Sequence, residues 1–319
     1  MKASLTDRRF PASVLDRWIY ALKPASWPKL LVPTLLGQVL GAISVGALDV
    51  IAFVWGLGFT LAGLGFIVLL NDWGDRQVDT IKRDMFPDGC SPKTIPDRIL
   101  SVSAVGVAGV VFGLASLLVT AGSEVMLGRP WALEAGVACM ALFAAYTLPP
   151  VRLNYRGGGE LLEMLGVGVA LPLYNVYLQA GLIAPQVWPW VIGFAFLSLG
   201  SGIASGLSDE QSDRQGGKRT FASVFGNAVA RRSTEVCVLL GAASWCVGAV
   251  VMPAAVPLWV LVPAVVVLGW RFVAMRRVSA KAVTNAFEAQ GHYKHFLHGA
   301  IWHSTTVAAL LLWVDMILR

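Results

Sequence analysis

Two short acidic stretches hold the side chains in this chain most able to do chemistry. The first is Asn71-Asp72-Trp73-Gly74-Asp75-Arg76-Gln77-Val78-Asp79. At about 100° per residue on a helix, Asn71, Asp75, Asp79 and Asp72 fall within about 100° of arc, so three carboxylates and an amide crowd one face. The second is Asp209-Glu210-Gln211-Ser212-Asp213, whose two aspartates stand one helical turn apart. Gly216 and Gly217 break that helix, and Lys218 and Arg219 follow on a turn free to fold back. Carboxylates this close repel one another, and neighbouring apolar segments raise the cost of their charge. A divalent cation relieves both problems. Hard oxygen donors suit Mg²⁺, which keeps several waters and is commonly completed by phosphate oxygens. Two acidic faces beside basic residues therefore make a diphosphate clamp, with Mg²⁺ on the acidic side and Lys82, Lys93, Arg152, Lys218 and Arg219 reaching the remaining oxygens.

The elements that position these motifs are membrane spans. The 319 residues are 56% hydrophobic and only 14% charged, where a soluble domain carries about 25% charge. Apolar runs recur at 28–46, 50–70, 100–121, 131–149, 159–181, 187–207, 234–253, 257–275 and 298–317. Backbone groups cannot stay unpaired in lipid, so these runs are expected to be helices, and the alternating short strands of a β-barrel are missing. The expected fold is all-α: a nine-helix transmembrane domain over 28–319, preceded by a cytoplasmic segment over 1–27. Within that segment Val14, Leu15, Trp18, Ile19 and Leu22 repeat with helical period opposite Asp16 and Arg17, which predicts a short helix lying on the membrane surface. No cleavable leader is expected from a start that includes Lys2, Asp7, Arg8 and Arg9.

Charge sets the orientation. With the N-terminus inside, 23 of the 25 Lys and Arg residues fall on inner segments, leaving Arg129 and Arg319 outside. Both acidic motifs then lie at the inner face, each after a span (the second and the sixth), on long inner loops expected at 71–99 and 208–233. That spacing suggests two related four-helix halves and a ninth helix. The net charge of +6 lies between spans rather than on one continuous basic surface, which argues against a nucleic-acid partner. Cys90, Cys139, Cys237 and Cys246 form no C-x-x-C pair.

Asn71-Asp72-x-x-Asp75-x-x-x-Asp79, together with Asp209-x-x-x-Asp213 and Gly217-Lys218-Arg219-Thr220, resembles the paired motifs of the UbiA superfamily of intramembrane prenyltransferases. The segment Tyr146-Thr147-Leu148-Pro149-Pro150, running on to Gly159-Glu160, and Tyr177-Leu178-Gln179-x-Gly181 are similar to the 1,4-dihydroxy-2-naphthoate polyprenyltransferases within it. The resemblance implies a UbiA-type bundle in the bacterial inner membrane with a cytoplasmic-side active site. Its substrates would be a prenyl diphosphate and an aromatic acceptor, its cofactor Mg²⁺, and its surroundings membrane lipid. It also implies Asn71, Asp72, Asp75, Asp79, Asp209 and Asp213 as metal ligands, and Tyr146 as a ring that stabilises an allylic cation. At Ser205, Gly206 and Ser208 the chain departs from the naphthoate subfamily, which carries two asparagines and an arginine there, so the acceptor stays open.

Arg156 and Glu160 are the candidates for acceptor binding, with Glu163 about one turn beyond. Pro172 predicts a kink in the fifth span. His292, His295 and His298 recur every three residues on a basic stretch that fits an interfacial role better than a metal site. Two rival functions share some of these features: a transporter, whose ion ligands would lie near the bilayer midplane, and a membrane terpene cyclase, which would quench the cation without an acceptor. The charge asymmetry predicts that cysteines placed at Ser91 or Gln215 are shielded from impermeant thiol reagents in intact cells. Labelling from outside would invert the topology.

Overall fold

The computed structural model describes residues 13–318; Lys2, Asp7, Arg8, Arg9 and Arg319, used in the orientation and leader arguments, lie outside them. Among the described residues the structure is helical without strands. Eight helices are long and apolar enough to cross a membrane, and a ninth apolar helix, Ala132–Thr147, is shorter. The chain is an integral membrane protein of the all-α class.

Helix α1 (Val14–Leu22) starts at Ser13, whose hydroxyl accepts from the Asp16 N–H, so a side chain satisfies one of the free donors of the first turn. Its apolar residues divide between two surroundings. Trp18 and Leu22 pack beside Leu69 and Val105, while Val14, Leu15 and Ile19 are exposed, as a helix seated at a lipid surface requires. Then follow α2 (Pro28–Val45), α3 (Val50–Met85), α4 (Val102–Leu127) and α5 (Ala132–Thr147). The fifth span is α6 (Gly159–Glu163), a π-helical stretch over Met164–Ala170, and α7 (Leu171–Ala180). Next come α8 (Trp188–Ser205), the short α9 (Glu210–Gln215) and α10 (Phe221–Phe225), and the last three spans, α11 (Asn227–Val251), α12 (Leu258–Ser279) and α13 (Phe287–Leu318).

Two expectations change in detail. The second span does not end near residue 70; α3 runs on to Met85, so the first acidic motif is rigid helix and only 86–101 is loop. Hydropathy marks where a helix leaves the apolar layer, not where it ends, and Val78 still buries against the protein. Around Pro172 the chain widens rather than simply kinking. The wider π turns over Met164–Ala170 precede Pro172, which sits in the first turn of α7, where its missing N–H is tolerated.

Helices approach closely where glycines remove side-chain bulk, because packing between helices in lipid depends on fit. A Cβ at Gly37 would lie 2.2 Å from the Pro172 carbonyl oxygen, and one at Gly41 2.8 Å from that of Val176. These two positions seat α2 on α7. Buried amides reinforce the seam: Gln38 donates to Asn175 at 2.7 Å, and Gln179 donates to Gln38 at 2.6 Å. Across the bundle a Cβ at Gly193 would meet the Trp245 ring at 2.2 Å, joining α8 to α11. Gly37→Ala is expected to destabilise the protein by about 1–3 kcal/mol through overpacking. Gly269→Ala, where a Cβ meets open space, serves as the neutral control. Equal unfolding midpoints for the two variants in a detergent titration would remove the α2–α7 seam as a stability determinant.

Candidate functional site

The inner part of α3 carries its acids on one face, with Asp72 and Asp75 buried and Asp79 half-buried. Three connections bring partners to them. The 86–101 loop folds back because Arg83 pairs with Asp97, whose carboxylate also accepts from the Lys93 backbone N–H at 2.5 Å. That fold presents Lys93 to Asp79 at 2.6 Å and the Thr94 hydroxyl to Asp72 at 2.7 Å. From α1, Tyr20 donates to the Pro92 carbonyl at 2.6 Å, and Lys23, just past the helix end, pairs with Asp72.

The second motif reaches the same place from the other side. Asp209 lies between a 3₁₀ turn at Gly206–Ser208 and α9. The loop after α9 turns at Gly217 with φ +71°, a left-handed value that glycine takes without strain. A Cβ at Gly216 would be 2.7 Å from the Val78 side chain, so this loop sits directly on α3. Lys218 is thereby delivered to Asp75 at 2.6 Å, Lys82 of α3 pairs with Asp209, and Thr220 donates to Asp213 at 3.0 Å. Four of the five motif aspartates thus hold a lysine, and the fifth holds a hydroxyl.

The electrostatics follow from this pairing. Burial opposes the charge of Lys218, yet the Asp75 and Asp213 carboxylates outweigh it and hold the ammonium well above the ordinary lysine range. Burial likewise disfavours charge on Lys93, and the Asp209 and Asp79 carboxylates reverse the outcome. Desolvation also opposes charge on half-buried Asp209, but Lys82, Lys93 and Lys294 pull it well below the usual carboxylate range. At Asp213 burial wins over the pull of Lys218, and its carboxyl is pushed up to about 7.

Of the remaining site residues expected from sequence, Arg152 donates to the Gly74 carbonyl at 2.7 Å and stacks 3.5 Å from the Tyr155 ring centroid. It therefore ties the 148–158 loop to α3. Tyr146 lines a cavity of about 270 Å³ together with Asn71, Lys23, Lys29, Glu163 and Ser205. The cavity's other walls, including Leu64, Phe143 and Val167, are apolar. Arg156 and Arg219 are exposed. The Glu160 carboxylate accepts the Phe221 N–H at 2.6 Å and pins the second-motif loop to α6. His298 stacks on Trp302 with rings 4.6 Å apart. Lys23, Thr94 and Lys294 were not singled out by sequence. Lys294 reaches Ser208 at 2.8 Å from α13, and its only sequence signal is its place on a basic inner stretch.

Among the described residues no three acidic, His or Cys side chains already converge as a ligand set, because each acid leans toward its own cation or hydroxyl. The donor set still suits a hard divalent ion. Asn71 Oδ1 and Asp75 Oδ1 are buried without a hydrogen-bond donor, and an unmet buried oxygen is costly unless something positive completes it.

Residues 30–300 match the sequence profile of the UbiA prenyltransferase family. The chain belongs to that family. It is 26% identical over 255 residues to the 1,4-dihydroxy-2-naphthoate octaprenyltransferase of Mycobacterium leprae, covering 75% of this chain and 83% of that one. It is also 24% identical over 219 residues to the chloroplastic chlorophyll synthase of Arabidopsis thaliana, covering 66% of this chain; the match spans about half (53%) of that relative's length. Its fold is that of a UbiA homolog from Archaeoglobus fulgidus solved with DMAPP and Mg²⁺, with a TM-score of 0.59 at 17% identity over 86% of this chain and 99% of that one. UbiA-family bundles thus share the helical scaffold that carries the two motifs here.

The raised Asp213 predicts a carboxyl that is protonated in the metal-free protein about one pH unit below 7 and ionised about one unit above it. Infrared difference spectra should show a protonated-carboxyl band that disappears across that range and is absent from Asp213→Asn. A band unchanged in the variant would assign the proton elsewhere.

Proposed function

We propose that this chain transfers a prenyl group from a prenyl diphosphate to an aromatic acceptor, with 28–319 as one prenyltransferase domain. The reading places it in a bacterial inner membrane with the acidic motifs on the cytoplasmic side. The observation that carries it is the convergence of two acidic motifs and their lysines beside a largely apolar cavity. A transporter is disfavoured because the motifs lie beyond the apolar stretches of the second and sixth spans rather than within them, away from the polar seam of Gln38, Asn175 and Gln179.

Asp72, Asp75, Asp79, Asp209 and Asp213, with Asn71, would hold Mg²⁺, which when bound supplies positive charge against a departing diphosphate. Lys82, Lys93 and Lys218 are held at the same carboxylates and would bind phosphate oxygens as the carboxylates turn to the metal, with exposed Arg219 closing over them. Arg152 keeps Tyr155 and the 148–158 loop in place. The C–O bond of the donor breaks with its electron pair leaving on diphosphate, and the Tyr146 ring face stabilises the allylic cation. Apolar cavity walls receive the prenyl chain and keep water from the cation. An electron-rich ring carbon then attacks.

The likeness to the naphthoate enzymes and the Tyr146-to-Glu160 and Tyr177-to-Gly181 segments favour 1,4-dihydroxy-2-naphthoate as acceptor, prenylated at the carbon bearing its carboxylate with loss of CO₂. Asp75→Asn and Asp213→Asn are each expected to lower Mg²⁺-dependent turnover by at least about 100-fold while the protein stays folded. Full activity in either variant or in excess chelator would remove the metal. Prenylation of a tetrapyrrole carboxylate or 4-hydroxybenzoate in place of the naphthoate would reassign the acceptor. A cyclic hydrocarbon formed without acceptor would make the chain a cyclase.

A further inference from the structure

A cationic patch on the surface of the last two helices has no part in the acidic site. Arg271 of α12 brings Nη2 to 3.4 Å from His303 Nδ1 on α13. Its guanidinium also lies 4.9 Å from the centroid of the Trp270 ring, and that tryptophan is 67% exposed. The carboxylates that meet α12 are engaged elsewhere: Glu235 by Arg276 and the Ser279 hydroxyl, and Asp315 by the Trp259 indole. Among the described residues, Arg271 and His303 therefore have no acidic partner.

Both side chains stand within the apolar length of their helices. Arg271 precedes the end of α12 at Ser279 by about 12 Å along the axis, at about 1.5 Å per residue. His303 lies about 13 Å beyond Lys294, which reaches Ser208 beside the second motif. Side chains on a helix lean toward its N-terminus, so Arg271 points away from the basic end at Arg276 and Arg277. Gly299 fixes that placement. A Cβ there would be 3.4 Å from Arg271 Nε and 3.5 Å from Cδ and Cζ, so the side chain lies flat across α13. Nε faces inward and is buried without an acceptor, while the Nη end meets exposed His303 at the surface. His295, also exposed, stands one turn to the other side of Gly299 on the same face of α13. Trp270 continues an exposed apolar stripe of Val262, Val266 and Val273, the lipid-facing side of α12, and Arg271 stands at its edge. An ionised side chain at such a position is costly without an anionic or polar partner.

We propose that Arg271 and His303 hold the phosphate of an anionic phospholipid at the seam between α12 and α13. A guanidinium presents parallel N–H donors that match two phosphate oxygens, and the His303 contact uses one of Arg271's five. With Nδ1 accepting from Nη2, the imidazole keeps Nε2–H as a donor beside it. The patch opens onto the lipid-facing stripe, so the acyl chains lie against Val262, Val266 and Trp270 while the headgroup is drawn toward the arginine. Charge selects among lipids. The quaternary ammonium of a choline headgroup would add a cation where Arg271 and two histidines already stand and no carboxylate is free, whereas a glycerol headgroup leaves the lipid's net negative charge to the site. This site stands apart from the acidic motifs and does not depend on which reaction they perform.

The test measures which lipid the full chain retains. Purified protein in detergent is titrated with phosphatidylglycerol or with phosphatidylcholine of the same acyl chains, and native mass spectrometry reads the fraction carrying one lipid. Wild-type protein should bind phosphatidylglycerol at least about tenfold more tightly than phosphatidylcholine, the scale of one charge-assisted hydrogen-bonded contact. Arg271→Gln, which keeps the length and removes the charge, should bring the two lipids to equal affinity. His303→Ala should weaken phosphatidylglycerol in the same direction and serves if Arg271→Gln fails to fold. Arg277→Gln, an exposed cation on another face of α12, should leave the preference intact. Equal binding of the two lipids by wild-type protein, or a preference unchanged in both Arg271→Gln and His303→Ala, would overturn the assignment. A loss in Arg277→Gln as large as in Arg271→Gln would replace the site with diffuse attraction to the basic end. Displacement of phosphatidylglycerol by millimolar glycerol 3-phosphate would make the ligand a soluble phosphate and overturn the lipid.

Discussion

Acidic side chains buried beside a membrane must be neutralised, and the inner end of this bundle is organised around that requirement. Five motif aspartates from α3, the α8–α9 turn and α9 share a small volume, and four are paired with lysines. Those lysines come from four different places: the end of α1, α3 itself, the 86–101 loop and the turn after α9. An uncompensated charge there would cost several kcal/mol, so each connecting segment is folded onto the acids rather than left in solvent. The pairing neutralises the acids in the resting protein. On the proposed function it would also store the cations that a polyanionic substrate needs: a diphosphate arriving with a divalent ion would offer carboxylates and lysines better partners than each other, and the array would exchange without any charge becoming unpaired.

The rest of the scaffold holds this array in register. The glycines that let α2 meet α7 and α8 meet α11 set the spacing of the helices packed around α3 and α8, which lead into the motifs. Gly74 has the same effect locally: a Cβ there would lie 2.8 Å from the Thr147 hydroxyl. The Tyr146 ring can therefore stand beside Asn71 with Arg152 clamped to the Gly74 carbonyl. Small residues set the spacing, and charges set the chemistry.

Much of this was legible in the sequence, for physical reasons that differ from residue to residue. Helical periodicity alone placed Asn71, Asp72, Asp75 and Asp79 on one face, because α3 continues unbroken through them. That the Lys218 turn folds back could be anticipated from Gly216 and Gly217. Which lysine meets which acid could not, since Lys23 and Asp72 are 49 residues apart and only the docking of α1 joins them. The contrast between Glu160 and Glu163 was equally invisible. The two are spaced to share a face of a regular helix, yet Glu160 is tied to the loop by the Phe221 N–H while Glu163 lines the cavity. Arg156 stands exposed on the 148–158 loop, a placement set by the loop's path rather than by its neighbours in sequence.

On the proposed function, metal and diphosphate bind as one unit to a site whose carboxylates are otherwise held by lysines. Reciprocal coupling follows: each ligand must tighten the other by the same factor. Mn²⁺ can replace Mg²⁺ as a spectroscopic probe, and a prenyl thiodiphosphate can replace the reactive donor. Titrating Mn²⁺ by electron paramagnetic resonance with and without the thiodiphosphate measures the coupling directly. The account predicts weak Mn²⁺ binding alone, tightening of at least about tenfold with the analogue, and loss of both in Asp75→Asn. Equal Mn²⁺ affinity with and without the analogue, or undiminished coupling in Asp75→Asn, would contradict it.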